Sequence, residues 1–484
     1  MTSRGNLRLL AAAVAGLALA GCAVRPTTPA LAHYQPDAGY RWDPRRALPD
    51  NDPETLFILT FSGGGTRAAA FSYGVLEELR RTTVRTPRGD HPLLAEVDVV
   101  TGTSGGSFTA LAYALHGERL FDEFERSFLK RDVEGDLLRR LLDPLTWPRV
   151  LSQGFGRSEL AEEYYDEVLF HRATYADLAG KPTPATIVGA TDVSTGTRFD
   201  FSQLEFDVIC GDLGAFRLSR AAAASSAVPV VLSPVTLDNR GGTCGYRDPG
   251  WVADALRRPD PLPSGNRLAL RLREIEQRRD GAARPYLHLV DGGLSDNLAL
   301  YGPVEMLQEL MASPRYRAAA GVNRVRRIAV VIVNARSAPR FDWDKVPYGP
   351  GVLGLLAQSL SVPINHYSTE AVAALQDTAT RWRLQAELDA ATGRADALPQ
   401  VEFALVDVSF EAVADPALRE SLQGLPTTFA LPDEAVDRLR AAAAQVLRES
   451  PAFRRFAASL ATRPGGWTGG ERTSPHLHRL RALD

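Results

Sequence analysis

Residues 97–116 read V-D-V-V-T-G-T-S-G-G-S-F-T-A-L-A-Y-A-L-H, and this stretch holds a strand, a turn and a helix in that order. The run over 97–101 is apolar and of strand length, Gly102-Thr103-Ser104-Gly105-Gly106 makes a tight turn, and a helical pattern follows from Phe108. Upstream the same unit recurs. Residues 56–61 (LFILTF) lead into Ser62-Gly63-Gly64-Gly65-Thr66-Arg67, then a helix with Phe71, Val75, Leu76 and Leu79 on one face. A third strand, residues 286–290 (YLHLV), ends at Asp291-Gly292-Gly293, and further strands are predicted at 186–190, 328–333 and 401–408. Buried strands alternating with helices specify a mainly parallel central sheet covered on both faces, a three-layer α/β/α sandwich. Sites in such sheets lie at the carboxyl ends of strands, where all three glycine-flanked motifs sit, so one cleft can collect them.

That shared cleft also sets the domain count. A chain of 484 residues would by length alone suggest about three domains. Gly63, Ser104 and Asp291 must share a sheet, however, so residues 54–460 are read as one α/β hydrolase domain. Its last element is an amphipathic helix within 420–450, begun by Pro432-Asp433-Glu434, and residues 461–484 are read as a flexible Gly- and Arg-rich tail.

The composition is that of a globular protein, 45% hydrophobic and 23% charged, which excludes disorder and a disulfide-dense miniprotein. Lys and Arg number 55 against 58 acids, so no summed positive field would attract nucleic acid.

Residues 1–21 read as a signal peptide. Arg4 and Arg8 precede an apolar run over 9–20, too short for a permanent span, which ends in Leu19-Ala20-Gly21-Cys22. That ending resembles the lipobox of bacterial lipoproteins, in which Cys22 is lipidated and becomes the mature N-terminus. Ala23 offers no acidic retention signal, so the expected location is the outer membrane of a Gram-negative cell, facing the periplasm. Residues 22–53, with six prolines and no period, are read as an extended tether that holds the folded part off the membrane.

Ser104 carries the chemistry. A serine hydroxyl becomes a useful nucleophile when a sharp turn exposes it, a base takes its proton and N–H donors receive the oxyanion. Gly102 and Gly106 flank it in a G-x-S-x-G elbow between strand and helix. Asp291, with Gly292 and Gly293 clearing space beside it, is placed to reach the serine directly. A Ser-His-Asp arrangement would instead need His366, the histidine after Asp291 that precedes the tail, in a Pro-Ile-Asn loop. Gly63, Gly64 and Gly65, at a helix N-terminus and reinforced by Arg67, suit an oxyanion hole. Residues 63–68 also satisfy a variant dinucleotide fingerprint, G-x-G-x-x-A, but arginines stand where a ribose-binding acid is needed.

Together these blocks resemble the signatures of patatin-like phospholipases: Gly63-Gly64-Gly65-Thr66-Arg67, Gly102-Thr103-Ser104-Gly105-Gly106 and Asp291-Gly292-Gly293, in the family's order. Ala224-Ser225-Ser226-Ala227-Val228-Pro229 with Pro234 is similar to a fourth block, and Ala68 stands where the family often has Gly. The resemblance covers roughly residues 55–335. It implies a Ser104–Asp291 dyad without histidine, hydrolysis of acyl esters in phospholipids or lysophospholipids, an oxyanion hole from the first glycine block, and neither metal nor cofactor. A non-catalytic lipoprotein that binds lipids or a partner on the same scaffold is the remaining alternative.

Two further features stand apart. Beyond Cys22 only Cys210 and Cys244 remain, an even pair in an exported chain, which suits a disulfide. Residues 137–150, with Trp147 among leucines and arginines, and residues 352–360, bounded by Pro350 and Pro363, are candidate membrane-contact segments; buried core helices are the other reading.

Overall fold

A computed structural model describes residues 25–41, 51–86, 89–152, 154–252, 266–338, 342–345, 347, 349 and 351–461. The leader 1–21, Cys22 and the tail from 462 lie outside the described residues. The strands are β1 (Thr55–Phe61), β2 (Thr83–Thr86), β3 (Gly89–Pro92), β4 (Val99–Thr103), β5 (Ala185–Asp192), β6 (Thr197–Asp200), β7 (Val235–Asp238), β8 (Tyr286–Asp291), β9 (Arg327–Asn334) and β10 (Glu402–Ser409). All but the β2–β3 hairpin join one sheet in the order β10-β9-β1-β4-β5-β8-β7, with β6 paired to β5. Parallel pairing runs from β10 through β5.

The alternation of side chains along β1 builds the layers. Phe57, Leu59 and Phe61 enter one core, with Phe71 and Leu76 of the helix Gly65–Arg81, Phe108 of the helix Gly105–His116 and Leu439 of the helix Asp433–Glu449. Leu56 and Ile58 enter the other, against Val304 and Leu307 of the helix Tyr301–Ala312 and Leu375 and Trp382 of the helix Val352–Ala391. Every residue of β1 is buried, as a central strand covered on both faces requires. The fold is the three-layer sandwich with a mostly parallel sheet.

Four sequence readings change. β8 runs antiparallel to β5, so Asp291 does not end a strand of the parallel set. It nonetheless reaches the cleft, because β5 outlasts β4: Thr103 pairs with Gly189, and the extra residues Ala190–Asp192 pair with Asp291–Leu289. His366 lies inside the helix Val352–Ala391, which also runs through Pro363. Residues 137–150 do not form a core helix. They belong to two short helices, Val133–Leu142 and Trp147–Val150, with Leu138, Leu142, Leu145 and Trp147 open to solvent.

The fourth change concerns the tether over 22–53, of which residues 25–41 lie against the domain. Thr28 N–H donates to Asp238 (2.7 Å) and the Asp238 N–H returns a bond to Thr28 Oγ1 (2.9 Å). The Leu31 and Tyr34 amides donate to the carbonyls of Cys210 and Cys244, and the Tyr40 hydroxyl accepts from the Thr186 amide. Prolines in this segment leave fewer amides to satisfy, and those of Thr28, Leu31, Tyr34 and Tyr40 find partners on the domain.

Cys210 and Cys244 are joined by a disulfide with Cα atoms 5.5 Å apart, directly beneath the docked segment. Closing a loop over a separation of 34 residues is worth about 3–4 kcal/mol through the unfolded chain. Cys210→Ser with Cys244→Ser should lower unfolding stability by that amount in a urea titration. It should also speed proteolytic cleavage within 25–41, and two free thiols in the unreduced native protein would contradict the bridge.

Candidate active site

Ser104 falls between the end of β4 and the first turn of the helix Gly105–His116, with φ of +50°. A side-chain-bearing residue holds that conformation only where its surroundings impose it. Here strand and helix lie on either side of a single residue, and the turn lifts Oγ out of the strand direction. Oγ donates a hydrogen bond of 2.7 Å to Asp291 Oδ2. The other oxygen, Oδ1, accepts from the Gly293 amide at 2.7 Å. Both residues are buried. Burial pushes the Asp291 carboxyl up to about 6, against the opposing effect of the bonds from Gly293 and Ser104, which favour the charged form.

Ser225 ties the two together. Its hydroxyl accepts from the Ser104 amide (2.9 Å) and donates to the Gly189 carbonyl (2.7 Å), while its own carbonyl accepts from the Gly292 amide (3.0 Å). The Asp291 amide donates to Ala227. The block Ala224–Pro229 therefore carries the alignment of nucleophile and carboxylate, a role its sequence alone did not disclose.

The glycine turn after β1 touches the elbow backbone to backbone. A methyl group at Gly105 would overlap the Gly65 carbonyl, and one at Gly106 would lie 2.6 Å from the carbonyl oxygens of Phe61 and Ser62. Gly64 and Gly65 adopt φ of +138° and +59°, open to glycine at little cost. The Gly63 amide, read from sequence as an oxyanion donor, is committed to the Asn297 carbonyl at 2.9 Å. The Gly64 and Gly65 amides have no acceptor among the described residues, and they stand at the positive end of the helix Gly65–Arg81.

Arg67 fastens this turn to its neighbours. Its Nε donates to the Ala335 carbonyl (2.9 Å), and its terminal nitrogens to the Leu425 carbonyl (2.6 Å) and Thr427 Oγ1 (3.1 Å). These neutral acceptors hold a buried cation, whose ionisation burial lowers to about 10. The guanidinium thus braces the loops after β9 and around 425–428, and it also borders the space over Ser104. The Thr428 carbonyl accepts from the Thr66 amide and closes the same clamp.

Over the pair opens a cavity of about 670 Å³. Gly63–Gly65, Ser104, Asp291 and Asn297 make its polar end, while Leu137, Leu141, Leu160, Leu232 and Phe429 make an apolar wall. A cavity of this size and polarity suits an apolar chain with one polar end. His366 stays outside, mostly exposed and 3.2 Å from Glu370. Among the described residues no cluster of three or more His, Cys, Asp or Glu is arranged to hold a metal ion.

Solved structures with a related course of the chain include human GIVD cytosolic phospholipase A2, at 14% identity and a TM-score of 0.42 over 86% of this chain. The matched region spans 64% of that protein's length. VipD from Legionella pneumophila follows at 11% identity and 0.29, over 92% of this chain and 72% of that one. No curated protein sequence matches the chain. The patatin-like phospholipase family matches residues 59–304, from the middle of β1 past Asp291 and over just more than half of the sequence. With the Ser104 turn, the glycine turn and the strand-end aspartate inside that span, the chain belongs to the patatin-like phospholipases, a family of lipid acyl hydrolases.

Proposed function

We propose that the protein hydrolyses acyl esters of membrane lipids, as a phospholipase A or lysophospholipase, with Ser104 as nucleophile and Asp291 as its base. The 2.7 Å bond from Ser104 to Asp291 at the floor of a cavity with an apolar wall is the observation that carries this reading. Ser104 Oγ attacks the ester carbonyl carbon while its proton passes to Asp291 Oδ2. The carbonyl oxygen, now negative, lies against the Gly64 and Gly65 amides, donors fixed before the reaction begins. Collapse breaks the ester bond, and Asp291 returns the proton to the departing alcohol. Water then attacks the acyl-serine with Asp291 again as base, releasing the fatty acid and restoring the serine. A carboxylate raised to about 6 is a stronger base than an ordinary aspartate and is still ionised at neutral pH.

Location belongs to the same proposal. An acyl anchor on Cys22, exposed when residues 1–21 are removed, would keep the protein at the outer membrane beside its substrate.

Fatty-acid release from phospholipids, lysophospholipids and p-nitrophenyl esters tests the chemistry. Ser104→Ala and Asp291→Asn should each lower kcat by about a thousandfold or more with unchanged thermal unfolding, since members of one catalytic unit fail together. Wild-type turnover in Asp291→Asn, with loss in His366→Ala, would replace the dyad with a triad.

The acid limb of kcat/KM should follow Asp291. The carboxylate is the active form, so activity is present above and lost as pH falls through about 6, and His366→Ala should leave the limb in place. A midpoint near 4, the ordinary aspartate value, would contradict the role given to burial.

Metabolic labelling with a radioactive fatty acid checks the anchor. Cys22→Ser should abolish both label and membrane retention, and unchanged fractionation would exclude lipidation at this position.

A further inference from the structure

Most of the large apolar side chains that the described residues leave open to solvent come from three segments far apart in sequence. Leu138, Leu142, Leu145, Trp147 and Leu151 form the first, Val230 and Val231 the second, Leu355 and Val362 the third. Each segment also supplies wall to the cavity over Ser104, through Leu138 and Leu141, through Val231 and Leu232, and through Gln358. On the helix Val352–Ala391, Leu355, Gln358 and Val362 follow the spacing of one helical face. The exposed apolar surface therefore continues the cavity wall outward as a rim.

Solvent-facing leucines at 85% exposure (Leu145) and 82% (Leu151) are costly on a protein surface unless something covers them. Val230 adds a second sign. It holds φ of +75°, where a β-branched side chain is strained, and the turn lifts it and Val231 out of the fold. The cavity points to the partner, because Leu138 and Val231 line it and are at the same time exposed on the surface. Trp147, with its indole N–H bonded to the Leu141 carbonyl and half its surface exposed, has the mixed character of residues at a membrane interface.

We propose that this rim inserts into the outer layer of a lipid bilayer, so that the cavity mouth opens directly onto the acyl chains. Val230 and Val231 form one side of the inserted ring and the Leu138–Leu151 segment the other. A lipid then moves from membrane to Ser104 along apolar surface without crossing water. The choice of a bilayer rests on the lipid-hydrolase reading above, and the closing experiment separates the two.

Emission of Trp147, taken as the difference between the full-length protein and its Trp147→Phe counterpart, is followed with vesicles of phosphatidylglycerol and dibrominated phosphatidylcholine. All proteins carry Ser104→Ala, so turnover plays no part. Bromine should quench Trp147, and the triple variant Leu145→Glu, Leu151→Glu, Val230→Glu should abolish the quenching. None of these three side chains lines the cavity. In the Ser104 background the triple variant should lose roughly tenfold in rate on the same vesicles while hydrolysing soluble p-nitrophenyl butyrate at the parent rate, which also reports that it folds. Unquenched Trp147, or equal rates of variant and parent on vesicles, overturns the proposal. A concentration-dependent dimer that the triple substitution disperses, with Trp147 unquenched by lipid, would assign the rim to a second copy of the chain. Quenching without fatty-acid release by the Ser104 protein would leave the rim standing and remove the hydrolase reading.

Discussion

The carbonyl of Gly65 and the α-carbon of Gly105 stand so close that no side chain fits between them, and the candidate site depends on that contact. β1 and β4 are neighbours in register, Phe61 opposite Gly102, so both chains turn out of the sheet at the same height. With glycine on either side, the two turns pack backbone on backbone and line the same cavity. Any larger residue at Gly105 would push the turns apart. β8 then approaches from the opposite direction along the free end of β5 and delivers Asp291 to the same height.

Electrostatics in this region follows from a shortage of water. Asp291 and Arg67 are both buried, and neither is paired with the other or with another opposite charge among the described residues. Burial acts on both in the direction of the neutral form, raising the carboxyl and lowering the guanidinium. The consequences differ because the starting values differ. Asp291 moves to the edge of the neutral range, where it can exchange protons. Arg67 remains charged at any physiological pH and spends its nitrogens on carbonyls and a hydroxyl, as a permanent fastening should.

The parts of the fold legible from sequence were those whose signal is local. The β1, β4 and β9 segments are apolar runs of strand length because they are buried on both faces, and each glycine motif marks an abrupt exit from a strand. The direction of β8 left no such mark, since a six-residue apolar strand reads the same in either orientation. β6 and β7 have four residues each and carry too few positions for a period. Asn297 and Thr428 act through backbone carbonyls bonded to groups distant in sequence and sit in stretches that read as ordinary loop, while Ser225 lay in a recognisable block whose three hydrogen-bond partners no local pattern names. Proline content suggested a free tether, yet the amides of Thr28, Leu31 and Tyr34 are satisfied by the domain, a pairing no composition argument can reveal.

That docked segment would set the mechanics of the protein if Cys22 carries the proposed anchor. Arg25 lies over the Tyr286 ring, 5.2 Å from its centroid, and pairs with Asp238, so the chain is fastened to the sheet edge at that point. Residues 22–24 can span no more than about 10 Å. With an acyl group on Cys22, as proposed, the protein would behave less like a ball on a string than like a plate hinged at one edge. It could tilt toward or away from the bilayer but could not roam above it. Encounter with substrate would then be limited by lateral diffusion of lipids beneath a fixed edge, and a lengthened linker at 22–24 would trade that confinement for reach.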